Sequence, residues 1–547
     1  MSASLSPSGP FRVPSVNAFF PRVIQPWIYL LMAFCFQLSG GRYLGALNYM
    51  IGEEQLMRED LLMALWCNLA GMATLFPLMF RFKFRFTNKT LLRAAALGVL
   101  VCNLLIPYVN CLPLLWMLCF IEGVCKLEGT FECMSTVQLW ITPKRNFRDF
   151  FPVLHIFILG AMNISSWLIA YFAFGWDDWH LMHWFIAGLM LLILLFNHTC
   201  MHHFRFMPKV PLLGIDWAGY LGWVALLVQI AYLFTYGDWM NWDDSPLCLT
   251  LIGTSCITFA LLLYGMKVKL HPFISRKVFK FKNTLPILLI ISLFEVLLSA
   301  EHVLEEVLLE EGMQMTDWSG ASRYWFVVLG CYTGCFFSWW WMKIRGWGYA
   351  RLGLVAAIAA MLYLVQMYFL IYPGIWLQQL YLPLFLRGFA SAVMAIMLMT
   401  LLQYSTDFHT FFQCLSLFNM IHMILGGCLG AALYGEFMGR GIADAFVMHN
   451  PGINAVMMTR PDHISVLMSP DGFGHLMEHQ TVEMILSSIR TCYGWGIYGA
   501  CALILIILTY DMPLRRLKPL RMIPWKQVGR RFAMPSKISE LEKTISQ

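Results

Sequence analysis

Charge is scarce in this sequence. Asp, Glu, Lys and Arg supply 13% of its 547 residues, against 59% hydrophobic residues and a mean hydropathy of +0.64. A soluble protein carries about twice that charged fraction. A chain this poor in charge cannot cover an aqueous globule with polar groups, so soluble domains are excluded and most of the outside must face lipid. CxxC pairs are also missing. The 16 cysteines fall mainly inside apolar stretches, and none lies between Gly439 and Ser488. They read as small packing residues, not as a disulfide framework or zinc site. The first 25 residues hold Arg12, Arg22 and several prolines but no short apolar core with a small-residue cleavage site, so no cleaved signal peptide is expected.

Long apolar runs take the place of these features. A hydrocarbon core about 30 Å thick needs roughly 20 apolar residues of helix. Fourteen runs fit: Pro26 to Asn48, Leu61 to Phe80, Leu91 to Asn110, Leu114 to Leu139, Phe150 to Phe174, His180 to Cys200, Ile215 to Tyr236, Leu247 to Met266, Thr284 to Val307, Ser322 to Met342, Ala350 to Ile371, Trp376 to Tyr404, Phe408 to Gly435 and Cys492 to Tyr510. Charge tests the count, because cytoplasmic loops collect Lys and Arg. With the N-terminus inside, Arg81, Lys83, Arg85, Lys89, Lys144, Arg145, Lys267, Lys269, Lys343, Arg345 and a tail after Asp511 fall on one side. Acid clusters at Glu53 and Glu54, Asp177 and Asp178, Asp243 and Asp244, and Glu305 to Glu311 fall on the other. An odd span count would break this alternation, so an all-α polytopic membrane protein with both ends cytoplasmic is expected. The net charge of +7 is then a matter of topology and anionic lipid, not of nucleic acid. One long external segment, 437–489, reads as a solvated loop with an amphipathic helix near His475 to Leu486.

Ionisable groups inside spans are costly and default to function or tight pairing. The first span holds Gln37 and Arg42, the fourth Glu122, Lys126, Glu128 and Glu132, the ninth Glu295 and the twelfth Arg387. Spans two, three, seven, eight, ten and eleven carry almost none, so spans one, four, nine and twelve are expected to line something wet. At about 100° per residue, Glu122 and Lys126 share one side of the fourth helix while Glu128 and Glu132 share another. An intrahelical pair of Glu122 with Lys126, a Glu132 near cytoplasmic water and an Arg387 paired with Glu295 are the structural alternatives to function. Glu128 and Glu295, near mid-membrane, are the leading proton-coupling candidates, with Glu122 and Glu132 behind them. Gln37, Arg42, Lys126 and Arg387 are the substrate-cavity candidates. His198, His202 and His203 copy a di-iron oxygenase box that His475 and His479 would have to complete. A bilayer separates the two groups, which argues against a shared metal pair and against an enzyme.

The layout resembles the major facilitator superfamily, specifically its fourteen-span drug:proton antiporters. Gly214-Ile-Asp216-Trp217-Ala-Gly219 opens span seven, and Gly237-Asp238-Trp239 with Trp242 closes it. Leu270-His-Pro272, Leu386-Arg387-Gly388 and Leu425-Gly426-Gly427-Cys-Leu-Gly430 are similar to further motifs of that family. The chain departs from it at Arg81-Phe-Lys83-Phe-Arg85, which lacks the acid and glycines of the family's loop motif. It departs again at Met162-Asn163-Ile-Ser165-Ser166, where an antiporter motif should stand, and at Cys125-Lys126-Leu-Glu128-Gly129 in span four. The resemblance implies two six-helix bundles, 26–203 and 284–511, separated by two inserted helices and a basic loop at 204–283, with cytoplasmic segments at 1–25 and 512–547. It also implies alternating access, a cavity lined by spans one, four, nine and twelve, and proton-coupled export of small amphiphiles or drugs, with no cofactor. A bacterial inner membrane is implied too, with a periplasmic adaptor and an outer-membrane channel as partners. Import, or export of an anion, is the alternative that Arg42, Lys126 and Arg387 favour.

Overall fold

The computed structural model describes residues 16–17, 19–21, 23–40, 43–142, 147–203, 211–212, 214–242, 244–281, 283–346, 348–456 and 472–509. Every regular element among them is helical, apart from an isolated antiparallel bridge between Val16 and Met201. The first half comprises α1 (Gln25–Gln37), α2 (Leu47–Glu54), α3 (Arg58–Arg85), α4 (Asn88–Leu105), α5 (Leu112–Ile141), α6 (Phe147–Gly175) and α7 (Leu181–Cys200). Two helices follow, α8 (Trp217–Tyr236) and α9 (Pro246–Val268). The second half contains α10 (Thr284–Leu298), the one-turn helices α11 (Leu304–Val307) and α12 (Asp317–Gly320), α13 (Arg323–Trp339), α14 (Tyr349–Leu370), α15 (Leu377–Ser405), α16 (Phe408–Met420), α17 (Gly426–Val456) and α18 (Gly472–Thr509).

Local chemistry sets the ends. Thr87, extended after α3, accepts a hydrogen bond from the Thr90 amide and so caps α4. Asp216 caps α8 through the Gly219 amide at 2.9 Å, and the same carboxylate takes Lys269 Nζ at 2.6 Å and the Phe273 amide at 3.2 Å. The Asp-Trp-x-Gly opening is thus a helix cap that also fastens the chain leaving α9.

Eleven helices among the described residues are long and apolar enough to cross a membrane. Each of the other three expected spans departs for an identifiable reason. α1 is 13 residues long before the chain breaks, α5 carries the four charges of span four, and the 17 residues of α13 pass into a π-helical turn, Trp340–Arg345. Span nine is also interrupted. After α10 the chain runs through a 3-10 turn, Ser299–His302, then α11 and a π-helical turn, Leu308–Gly312. The expected external loop 437–489 is instead helical at both ends, as α17 and α18 extend beyond their spans, while residues 457–471 lie outside the described residues. The two extensions support each other: Ser488 Oγ donates to the Met438 carbonyl at 2.8 Å, beside Gly441.

In the first half, α5 packs on α3, α4 and α1; in the second, α15 packs on α13 and α14, and α17 on α10 and α18. α8 touches both α3 and α17, and α9 rests chiefly on α8, leaving most of its side chains exposed. α6 of the first half lies against α13 and α15 of the second, and α3 against α16.

The halves meet at two ends. At the acidic end Asn48 bonds Glu310 and Asp317, Arg58 pairs with Glu306, and Tyr324 Oη donates to the Leu44 carbonyl at 3.0 Å. At the basic end Phe80 meets Phe412 edge-on at 4.4 Å, Arg148 lies over the Tyr404 ring, and Ser416 Oγ donates to the Ala73 carbonyl at 2.9 Å. Lys343 and Asp149 add an exposed pair at 3.5 Å.

Candidate functional site

Between these ends lies a cavity of about 190 Å³, walled by both halves. Apolar surface comes from Trp66, Leu69, Ile158, Met162, Val327 and Met423. Its charged lining is three permanent cations, Lys126, Arg323 and Arg387, against four carboxylates, Glu295, Glu301, Glu305 and Glu306. In bilayer surroundings such groups need partners, and where each finds one decides what it can do.

Close helix crossings position them. A Cβ on Gly123 would stand 1.9 Å from the Asn68 carbonyl, so α5 and α3 meet backbone to backbone and Asn68 reaches two charges of α5 at once. Lys126 Nζ donates to Asn68 Oδ1 at 2.9 Å, and Asn68 Nδ2 donates to Glu122 at 3.3 Å. Asn103 Nδ2 adds a second bond to Glu122 at 2.7 Å and is itself bonded to His183 at 3.0 Å. An amide therefore stands between Glu122 and Lys126. Gln37 Nε2 donates to Thr130 Oγ1 at 2.7 Å, one turn from Lys126.

The second half repeats the device. A Cβ on Gly388 would lie 2.3 Å from the Val327 carbonyl, so α15 and α13 are also in backbone contact, and Arg387 beside it turns into the cavity. Its guanidinium donates to Glu305 at 2.6 Å and pairs with Glu301 at 2.9 Å, and Tyr363 Oη donates to the other Glu305 oxygen at 2.6 Å. The expected partner, Glu295, is elsewhere: it takes His422 Nδ1 at 2.7 Å. His422 sits in the π-helical turn Ile421–Leu425 that joins α16 to α17. One turn on, a Cβ at Gly426 would fall 2.3 Å from the Glu295 Cβ, so the glycine of this motif is what lets Glu295 come close. Among the described residues Glu295 is paired with His422 alone. It is the one cavity carboxylate whose partner is not a permanent cation.

The expected residues therefore divide. Gln37, Lys126, Glu295 and Arg387 line one cavity. Arg42 lies outside the described residues. Glu122, Glu128 and Glu132 are buried but absent from the cavity wall. Glu132 does not approach water as expected; it is 0% exposed and takes Lys83 Nζ at 3.0 Å, where a cation from α3 holds it inside. Both Glu128 oxygens are buried with no hydrogen-bond partner. Sequence reasoning missed Glu301, Glu305, Glu306, Arg323, His422 and Asn68. Glu305 and Glu306 belonged to the supposed external acid cluster, but the broken helix after α10 folds them inward, 5% and 7% exposed. The i, i+4 spacing of Glu301 and Glu305, directly after an apolar run, was the available signal.

No protein-family model matches the sequence, and no curated protein matches it. Solved structures do match the fold. One is the peptide transporter POT in complex with sulfate, 13% identical with a TM-score of 0.59, covering 93% of this chain and 98% of that one. Another is the major facilitator superfamily proton:xylose symporter XylE bound to 6-bromo-6-deoxy-D-glucose, 12% identical with a TM-score of 0.52, covering 91% and 98%. A third is the human organic anion transporter MFSD10 (TETRAN), 12% identical with a TM-score of 0.50, covering 89% and 100%. The likeness does not single out the drug:proton antiporters. What this chain shares with these proteins is the fold of the major facilitator superfamily.

Proposed function

We propose that the chain is a secondary active transporter that rocks two bundles about the central cavity and couples proton entry to export of a small amphiphile. The observation that carries the reading is the Glu295–His422 pair at 2.7 Å on the cavity wall. A carboxylate held by an imidazole can exchange a proton where one clamped by arginine cannot, because the arginine stays charged throughout. Glu301 and Glu305 are clamped by Arg387 in that way. The mixture of aromatic and aliphatic wall with a few fixed charges suits an amphiphile. Export, a bacterial inner membrane, cytoplasmic termini, fourteen spans, and a periplasmic adaptor with its outer-membrane channel are parts of this reading that stand or fall with the drug:proton family. A second reading, import or anion export, is favoured by the Lys126 ammonium facing the cavity.

The test is dye and drug movement in proteoliposomes under an imposed pH gradient. Glu295→Gln and His422→Gln are expected to abolish gradient-driven export while leaving solute counterflow. Glu128→Gln, away from the cavity, serves as the comparison. Loss in Glu128→Gln with Glu295→Gln unaffected moves the coupling to α5. Gradient-independent behaviour of the folded parent with every amphiphile overturns proton-coupled export, and counterflow separates the two directions.

A further inference from the structure

We propose that Asp317 forms a proton-binding site outside the cavity, on the clasp that closes the acidic end, and that a proton bound there holds the clasp shut. The inference rests on the two-bundle reading above. Its geometry is a single asparagine drawing two acids together. The Asn48 amide of the first half donates to Asp317 Oδ2 at 3.1 Å. Its side-chain Nδ2 donates to Asp317 Oδ1 at 3.2 Å and to Glu310 Oε1 at 2.7 Å. Glu306, Glu310, Asp317 and Arg323 also share the wall of a separate cavity of about 10 Å³, space for one water at most.

The groups that face Asp317 come from four elements. Glu310 stands on the π-helical turn and Glu306 on α11, while Arg323 and Tyr324 stand on α13. Tyr49 stands on α2 and donates its hydroxyl to Asp177 at 2.9 Å. The nearby cations are engaged elsewhere: Arg58 pairs with Glu306, and Arg323 Nη2 donates to Tyr324 Oη at 3.1 Å. Among the described residues no cation is hydrogen-bonded to Asp317. Like charges this close disfavour a second ionised carboxylate.

Burial, with Glu310 and Glu306 adding to it, pushes the Asp317 carboxyl up to about 6, against the lowering effect of the Tyr49 and Asn48 amides. When the clasp opens, Asp317 meets water and returns to its ordinary 3.8. The sign follows from linkage. The closed state holds the proton more tightly, so its advantage is complete below pH about 4 and is lost as pH rises through about 6. Between pH 7.5 and 5 the closed-to-open ratio rises about tenfold. For a proton-driven exporter, protons from the compartment at the acidic end would shut that end behind them.

The test uses no solute. Nitroxides on Gly52→Cys, which has open space around it, and on Ser319→Cys, which is exposed, report the gap across the clasp in the full chain in lipid nanodiscs. The exposed Cys111, Cys256 and Cys501 are replaced by Ser. The short-distance fraction of the parent is expected to grow between pH 7.5 and 5, with the ratio rising about tenfold. Asp317→Asn, permanently neutral, is expected to stay closed at both pH values. Glu310→Gln, which removes a neighbouring charge, is expected to lower the midpoint. A parent whose distances ignore pH, or a folded Asp317→Asn protein that keeps the parent's pH response, overturns the proposal. Failure here leaves the transport reading standing, and failure of proton-coupled export leaves this pH response in place.

Discussion

Lys83→Met tests how the bundle tolerates its buried charges. Lys83 and Glu132 are 5% and 1% exposed in their side chains and 3.0 Å apart, and Ser135 takes a second ammonium proton at 2.5 Å. At that distance and an effective dielectric near 20, the attraction is about 5 kcal/mol. Most of it offsets desolvation, so the intact pair adds little net stability, whereas removing one partner strands the other. Lys83→Met leaves Glu132 beside Glu128 with no cation, at an expected cost of about 3–5 kcal/mol. The double variant Lys83→Met with Glu132→Gln removes both charges and is expected within about 1 kcal/mol of the parent. The assay is loss of monodisperse protein on heating at one fixed rate in one detergent. For a chain of this size each kcal/mol moves the midpoint by about 1–2 °C, so the single variant should fall by several degrees and the double should recover most of it. A single variant that melts with the parent, or a double no better than the single, refutes the reasoning.

Gly426→Ala forces a methyl against the Glu295 side chain and should cost about 1–3 kcal/mol. It should also impair gradient-driven transport as Glu295→Gln does, and equal coupling in the two proteins counts against the seating of that pair. Asp216→Ala removes a cap and two tethers, and should lower the melting midpoint by the equivalent of about 1–2 kcal/mol while leaving counterflow intact. Asn68→Leu leaves Lys126 and Glu122 without their shared amide at a cost of about 2–3 kcal/mol, read by the same heating assay. No loss there means the two charges close directly on each other.

Hydropathy and charge made the membrane class and the wet helices legible, because an ionisable residue in an apolar run has few cheap places to go. Gln37, Lys126, Glu295 and Arg387 reach one cavity from four helices as expected. Helical spacing also separated Glu122 and Lys126 from Glu128 and Glu132. It could not say which face turned inward, since that depends on where α3 crosses α5, and Gly123 decides that crossing. Lys83 was counted as a cytoplasmic charge because it follows an apolar run, yet α3 continues to Arg85 and carries it inside. His422 is a lone histidine in an apolar stretch, and only contact with α10 gives it a role.

The two closures differ in kind, and this sets how the protein answers its surroundings. The acidic end is held by hydrogen bonds and an ion pair at partly exposed groups, which added salt weakens through screening. The basic end is held largely by rings, whose apolar contact weakens on cooling and is little touched by dilute salt. Temperature and ionic strength therefore pull on opposite ends of the molecule. A cold, low-salt preparation would rest with its basic end loosened, and a warm, saline one with its acidic end loosened. The conformation captured by a binder or a probe thus depends on the buffer in which it is sought.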